Sequence, residues 1–245
     1  MKKINDHNRS HLGKLLAATA VCLIMFSGIT DTLSINTYVH DLKGMAVPVQ
    51  SYAVDAHVVA LTFDIGAGSD DLAGVLNQLD GTKVKATFFL TGVWLEKNPR
   101  TAKEIVKRGH EVGRSLYTYR QPSGLSLDVL KQEMEKTDAA WRMAALPETH
   151  LFRAPYGETR GSIAKLARDR GDQLISYSVN AAPGVWQSDK EALSGIEDAI
   201  KPGDILRMGA DAPSVKALPR LMQRIQAAGY DWRTLSHMQK EGGER

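Results

Sequence analysis

Cysteine is almost missing from this chain of 245 residues: Cys22 stands alone. One thiol closes no intramolecular disulfide, so the fold must rest on packing, and a cysteine-free body does not report its redox compartment. The body also lacks net charge. The formal +3 is carried by residues 1–14, where Lys2, Lys3, Arg9 and Lys14 face only Asp6; beyond them 27 basic side chains meet 27 acidic ones. A nucleic-acid-binding domain would carry its basic excess on the folded part, so that class is not expected. Internal repeats are absent. What remains is 43% hydrophobic and 24% charged, an ordinary globular composition that excludes disorder as a description of the whole chain. At about 150 residues per domain the length suggests one domain with an appendage.

There is one long uncharged apolar run, LLAATAVCLIMFSGI at residues 15–29, behind the basic stretch. This is the layout of a signal sequence. It is short beside the roughly 20 residues of a spanning helix. No A-x-A-like cleavage site follows it, since a cut after Gly28 would put Phe26 where a small residue is needed. Val21 before Cys22 does not suit a lipid-attachment box. The reading adopted is an uncleaved signal-anchor, with a cleaved signal peptide and a buried N-terminal helix as alternatives. Positive charge ahead of the run holds the N-terminus in the cytoplasm and puts the body outside the cell membrane as a single-pass protein. Residues 30–56 read as a stalk, 57–238 as the domain and 239–245 as a polar tail.

Within the domain, short β-branched runs alternate with amphipathic ones. Strands are expected near 57–63, 85–91, 110–113, 151–153, 173–179, 204–208 and 231–234. Helices are expected near 71–79, 99–108, 127–142, 160–170, 191–200 and 214–228. The alternation predicts an α/β fold with a parallel sheet, open or closed into a barrel. Working residues then sit at the C-terminal ends of strands, which directs attention to Asp64, the stretch after Val112, Arg153, Asn180 and the residues after Met208.

Those strand ends carry a set of ordered phrases: ALTFDIG at 60–66, KATFFLTG at 85–92, KEIVKRGHEVG at 103–113, FRAPYG at 152–157, SYSVN at 176–180 and KPGDIL at 201–206. Together they resemble the polysaccharide deacetylases of the NodB-homology type, over roughly residues 47–238. The spelling TFDI, with VPV at 47–49 and KALP at 216–219, is most similar to a sporulation-associated subgroup. The resemblance implies a distorted (β/α) barrel. It also implies hydrolysis of N-acetyl groups on amino-sugar polymers such as peptidoglycan or chitin. In that family a divalent metal such as zinc is held by an aspartate and two histidines, an aspartate serves as general base, and a late histidine protonates the leaving amine.

Carried over by position, the result is mixed. Asp64 stands at the general base and Arg153 at the arginine that pairs with it. Tyr156 is kept as a substrate-binding residue, and Trp186 is the candidate for stacking on a sugar ring. The metal-ligand positions hold Ile65, Ser115 and Tyr119, and the catalytic acid position holds Gly209. Ser and Tyr hydroxyls are protonated at neutral pH and are poor divalent ligands, so no cofactor is expected. Losing metal activation of water, whose pKa falls from about 15.7 to about 7 on zinc, removes at most roughly 12 kcal/mol. A general base supplies only about 10²–10⁴-fold.

The expectation is a retained scaffold with hydrolysis lost or weakened, binding a cell-wall glycan or a protein partner such as an active paralogue. The alternative is an active deacetylase with a rearranged metal site, for which Asp70, Asp71 and Asp211 are the candidate carboxylates; acidic loop residues more often cap helices. Asp64 with Arg153 is either a residual catalytic pair or a buried ion pair organising strand ends. His110–Glu111 fails as H-E-x-x-H because the fifth residue is Arg114, and Gly66-x-Gly68 fails as a dinucleotide loop at Asp71. Both are read as structural.

Overall fold

A computed structural model describes residues 48–66, 68–183, 195–196 and 199–244, all within the unit Ala46–Arg245. The basic leader, the apolar run with Cys22, most of the stalk, Trp186 and most of the helix expected over 191–200 lie outside the described residues. Among the described residues no helix is long and apolar enough to cross a membrane.

The centre of the fold is β2 (Val58–Ile65), VVALTFDI. It pairs in parallel with three strands: β3 (Thr87–Leu90), β8 (Ile205–Met208) and β9 (Asp231–Arg233). From β3 the sheet continues through β4 (Glu111–Arg114) and β5 (Leu151–Phe152) to β6 (Gln173–Leu174). From β8 it continues to β7 (Val179–Asn180). The strand expected as one piece over 173–179 is thus divided. Its first residues end one side of the sheet and its last residues end the other, so the sheet curls until its two ends are consecutive in the chain. This is the distorted (β/α) barrel that the sequence phrases imply.

Strand alternation sorts β2 into two faces. Leu61, Phe63 and Ile65 belong to the large core cluster with Phe88, Val75, Leu79 and Leu221. Ala60, Thr62 and Asp64 face the other way. The outer layer is helical: α1 (Leu72–Asp80), α2 (Gly92–Lys97), α3 (Pro99–Lys107), α4 (Leu127–Met143), α5 (Gly161–Asp169), α6 (Ala212–Ala227) and α7 (Leu235–Glu241). Local chemistry starts several of them. Asp71 accepts from the Gly74 N–H at 3.1 Å, Ser126 from Val129, and Asp211 from Ser214 at 2.8 Å, while Pro99 occupies the first turn of α3.

Two segments read as stalk and tail join the body. Val49 and Tyr52 are fully buried. Val49 inserts where the 173–180 strand divides, donating to the Leu174 carbonyl at 2.8 Å and accepting from the Ser176 N–H at 2.8 Å. β1 (Tyr52–Ala53) pairs antiparallel with β10 (Gly243–Glu244). Gly203, at φ 87°, lets Tyr52 approach; a Cβ there would run into the Tyr52 carbonyl.

The His110–Glu111 pair is part of this framework. Glu111 accepts from Thr87 Oγ1 at 2.7 Å and from the Leu235 N–H at 3.0 Å, so it caps α7 from a distant strand. His110 is buried, its Nδ1 accepts from the Ala86 N–H at 3.3 Å, and its ring meets the edge of Phe88. Burial first, then the neighbouring Lys85 charge, lowers its pKa from 6.5 to about 4. Above pH 6.5 the ring is neutral folded or unfolded. Between 6.5 and about 4 only the unfolded chain takes the proton, so stability is lost as pH falls through that window, by at most about 3 kcal/mol. Urea midpoints measured from pH 7 to 4 should fall less steeply in His110→Gln than in the parent; parallel curves would contradict this account.

Candidate active site

The C-terminal ends of β2, β5 and β8 and the loop after β4 converge on Asp64. Its side chain is 7% exposed, and both carboxylate oxygens are engaged. Oδ1 accepts from Arg153 Nη1 at 3.2 Å; Oδ2 accepts from Arg207 Nε at 2.8 Å and from the Tyr119 hydroxyl at 3.4 Å. Arg207 Nη2 donates in turn to the Tyr119 hydroxyl at 3.4 Å.

Arg153 is the more deeply set of the two cations, at 1% exposure. It reaches Thr62 Oγ1 at 2.7 Å and the Ser176 carbonyl at 2.8 Å, and its guanidinium lies 4.2 Å from the centre of the Phe89 ring. Thr62 Oγ1 donates in turn to the Leu206 carbonyl at 2.7 Å. Burial lowers the Arg153 pKa below the ordinary guanidinium value, against the pull of Asp64. Burial also opposes the charge of Arg207, but Asp64 and Tyr119 outweigh it and hold its pKa above the ordinary value. The Tyr119 phenol is pushed up, by burial first and then by Asp64.

Of the residues singled out in sequence, Asp64, Arg153 and Tyr119 are brought together. Tyr156 joins them at the rim: its ring centre is 5.0 Å from that of Tyr119, it is 58% exposed, and its backbone sits at φ 60°, unusual for a side chain of its size. Ile65 points away into the core cluster of Phe63 and Phe88. Ser115 is buried beside Arg114 and Thr137. Gly209 follows β8, where an added Cβ would lie 3.4 Å from the Asp211 carboxylate. Trp186 lies outside the described residues.

These residues do not fit a divalent cation. The first ligand position is an apolar core residue, the third is a phenol hydrogen-bonded to Asp64, and a guanidinium already lies 2.8 Å from Asp64. Among the described residues no group of three His, Cys, Asp or Glu side chains is placed to hold a metal. The carboxylates considered for a rearranged site do other work: Asp71 and Asp211 cap α1 and α6, and Asp70 is exposed.

Arg207 was missed by reasoning from sequence. The signal was there: a lone arginine inside the apolar strand ILRM, where parallel strands buried on both faces are otherwise near-continuously hydrophobic. A charge in such a position needs a buried partner.

The family model described as polysaccharide deacetylase matches residues 51–175, just over half of the chain. A peptidoglycan-N-acetylglucosamine deacetylase of Bacillus cereus is 28% identical over 190 residues, covering 74% of this chain and 87% of its own length. YlxY of Bacillus subtilis, an uncharacterized protein, is 26% identical over 196 residues; the match covers 79% of this chain but only 61% of YlxY. Among solved structures, a CE4 family pseudoenzyme from Bacillus anthracis aligns with a TM-score of 0.72 at 28% identity, covering 80% of this chain and 70% of that one. A mutant of that protein is described as having restored enzymatic activity.

Replacing Asp64 by Asn would leave two guanidinium groups facing each other without their anion. Breaking a buried pair from one side costs about 3–5 kcal/mol. Arg207→Gln, which leaves the Arg153–Asp64 pair in place, should cost clearly less. Chemical denaturation of the two variants checks the order, and equal losses would show that the fold depends on Arg207 as much as on Asp64.

Proposed function

Since the chain belongs to the polysaccharide deacetylase family, we propose that it uses the family scaffold to hold a cell-wall glycan without hydrolysing it efficiently. The observation that carries this reading is Arg207 on the second oxygen of Asp64. Deacetylases of this family are as a rule metal-dependent, and hydrolysis of an amide needs a nucleophile made from water. Here the carboxylate in the general-base position is held by two guanidinium groups and a phenol, and the neighbouring positions offer no ligand set for a cation that would activate water. A general base acting alone falls far short of what metal activation supplies.

What the site retains is suited to binding. Tyr156 presents an exposed ring at the rim, a flat apolar face for the C–H side of a sugar ring. Below it, Arg207 offers N–H donors to hydroxyl and acyl oxygens, and the Tyr119 oxygen can accept from a sugar hydroxyl. The peptidoglycan deacetylase of Bacillus cereus supports peptidoglycan as the ligand; a chitin-like chain is the alternative amino-sugar polymer. The basic leader and apolar run place the domain on the outer side of the cell membrane in this reading, within reach of such a polymer and of an active paralogue.

Acetate release from peptidoglycan and chitotetraose, with zinc or cobalt added, should stay at the blank for the parent protein, and calorimetry with either metal should show no stoichiometric binding. Combining Ile65→Asp, Ser115→His, Tyr119→His, Arg207→Leu and Gly209→His should create binding of one metal ion and measurable acetate release. Release by the parent protein that Asp64→Asn abolishes would sink the proposal. On the binding side, Tyr156→Ala should weaken retention on insoluble peptidoglycan by about 3- to 10-fold, the range of a lost aromatic contact. Unchanged retention would move the glycan surface elsewhere.

A further inference from the structure

The charge at the site does not balance. Arg153 and Arg207 together face the single carboxylate of Asp64. The neighbouring ionic cluster does not offset the difference, because it closes on itself: Arg114 pairs with Asp138 at 2.8 Å and Asp172 at 2.6 Å, and Arg170 pairs with the same two carboxylates. One unit of positive charge is therefore left among these contacts, and Arg153 is too deeply buried to present it.

Arg207 presents it. Its Nε–Nη2 edge is taken, by Asp64 and by the Tyr119 hydroxyl. Its Nη1 makes no hydrogen bond among the described residues and is not one of the buried polar atoms without a partner. The side chain as a whole is 22% exposed. The free Nη1–Nη2 edge is the end-on fork of a guanidinium, two parallel N–H bonds matched to a planar acceptor with two oxygens. Asp64 and Tyr119 fix the plane of the group, so the fork is oriented before a ligand arrives. Tyr156, over Tyr119, supplies an aromatic wall beside it.

We propose that Arg207 recognises a carboxylate carried by the glycan. Among amino-sugar polymers this selects one whose sugars bear a carboxylate, such as the lactyl ether of a muramic-acid unit, over an uncharged chitin-like chain. The inference rests on the glycan-binding reading and narrows it: the position that faces Asp64 supplies a fixed cation, and a fixed cation reads the charge of the ligand.

The test uses the full-length protein and three soluble probes: a disaccharide of N-acetylglucosamine and N-acetylmuramic acid, the same disaccharide with its carboxyl methylated, and chitobiose. Binding is followed by calorimetry at low salt. The free acid should bind about tenfold more tightly than its methyl ester, the effect of one charge-assisted bidentate contact at a partly exposed site, and added salt should shrink the gap. Arg207→Gln should remove the preference, so that acid and ester bind alike. Arg207→Lys should keep part of it, since the charge remains but the fork does not. Equal binding of acid and ester by the parent protein overturns the inference with no variant needed. That result leaves the glycan reading standing, whereas failure of all three probes to bind removes both.

Discussion

Asp64 is the group on which the rest of the site depends. A carboxylate at the end of a central parallel strand cannot be taken from water without cations close by, and the chain supplies two, from strands on either side. Those cations then have needs of their own. Arg153 requires the hydroxyl of Thr62, the carbonyl of Ser176 and the face of Phe89; Arg207 requires Tyr119. One buried charge thus fixes side chains on β2, β5 and β8, the Phe89 ring on β3 and the loop after β4. It also binds Asp64 and Arg153 to each other: removing either leaves the other as an uncompensated charge in the interior, whatever the chemistry.

The residues around Asp64 are tied into the fold. Ile65 fills the core beside Phe63, and the Tyr119 hydroxyl bridges Asp64 and Arg207. The result is a cationic floor under an aromatic rim, with Asp64 and Tyr119 fixing the plane of the Arg207 guanidinium.

Much of this was legible in sequence where the determinants are local. The β-branched run of β2 and the proline that opens α3 gave the elements they head, and the ordered phrases gave the barrel. Two helices escaped. α2 is six residues long behind a Thr91 that makes no capping hydrogen bond with its side chain, and α7 takes its cap from Glu111, 124 positions earlier. A helix started from so far away has no local signature. The reading of 173–179 as one strand caught its two ends, Gln173–Leu174 and Val179, but not the break between them or their pairing with different neighbours, because pairing is decided by the curl of the sheet. Arg207 escaped for a related reason: its meaning lies in its register opposite Thr62 on the neighbouring strand, two residues from Asp64.

The divided strand also sets an order of assembly. A chain made from its N-terminus has β2 to β6 in hand before β8 exists, so Arg153 can meet Asp64 while residues 179–180 still present a free edge. Only when residues 205–208 appear can that edge be covered and Arg207 reach the carboxylate, in the same event that joins residues 179–180 to β2 through β8. The second cation therefore arrives late, and a chain stopped short of it would expose a strand edge and a half-compensated charge together, two features by which a cell's quality control can recognise an unfinished fold.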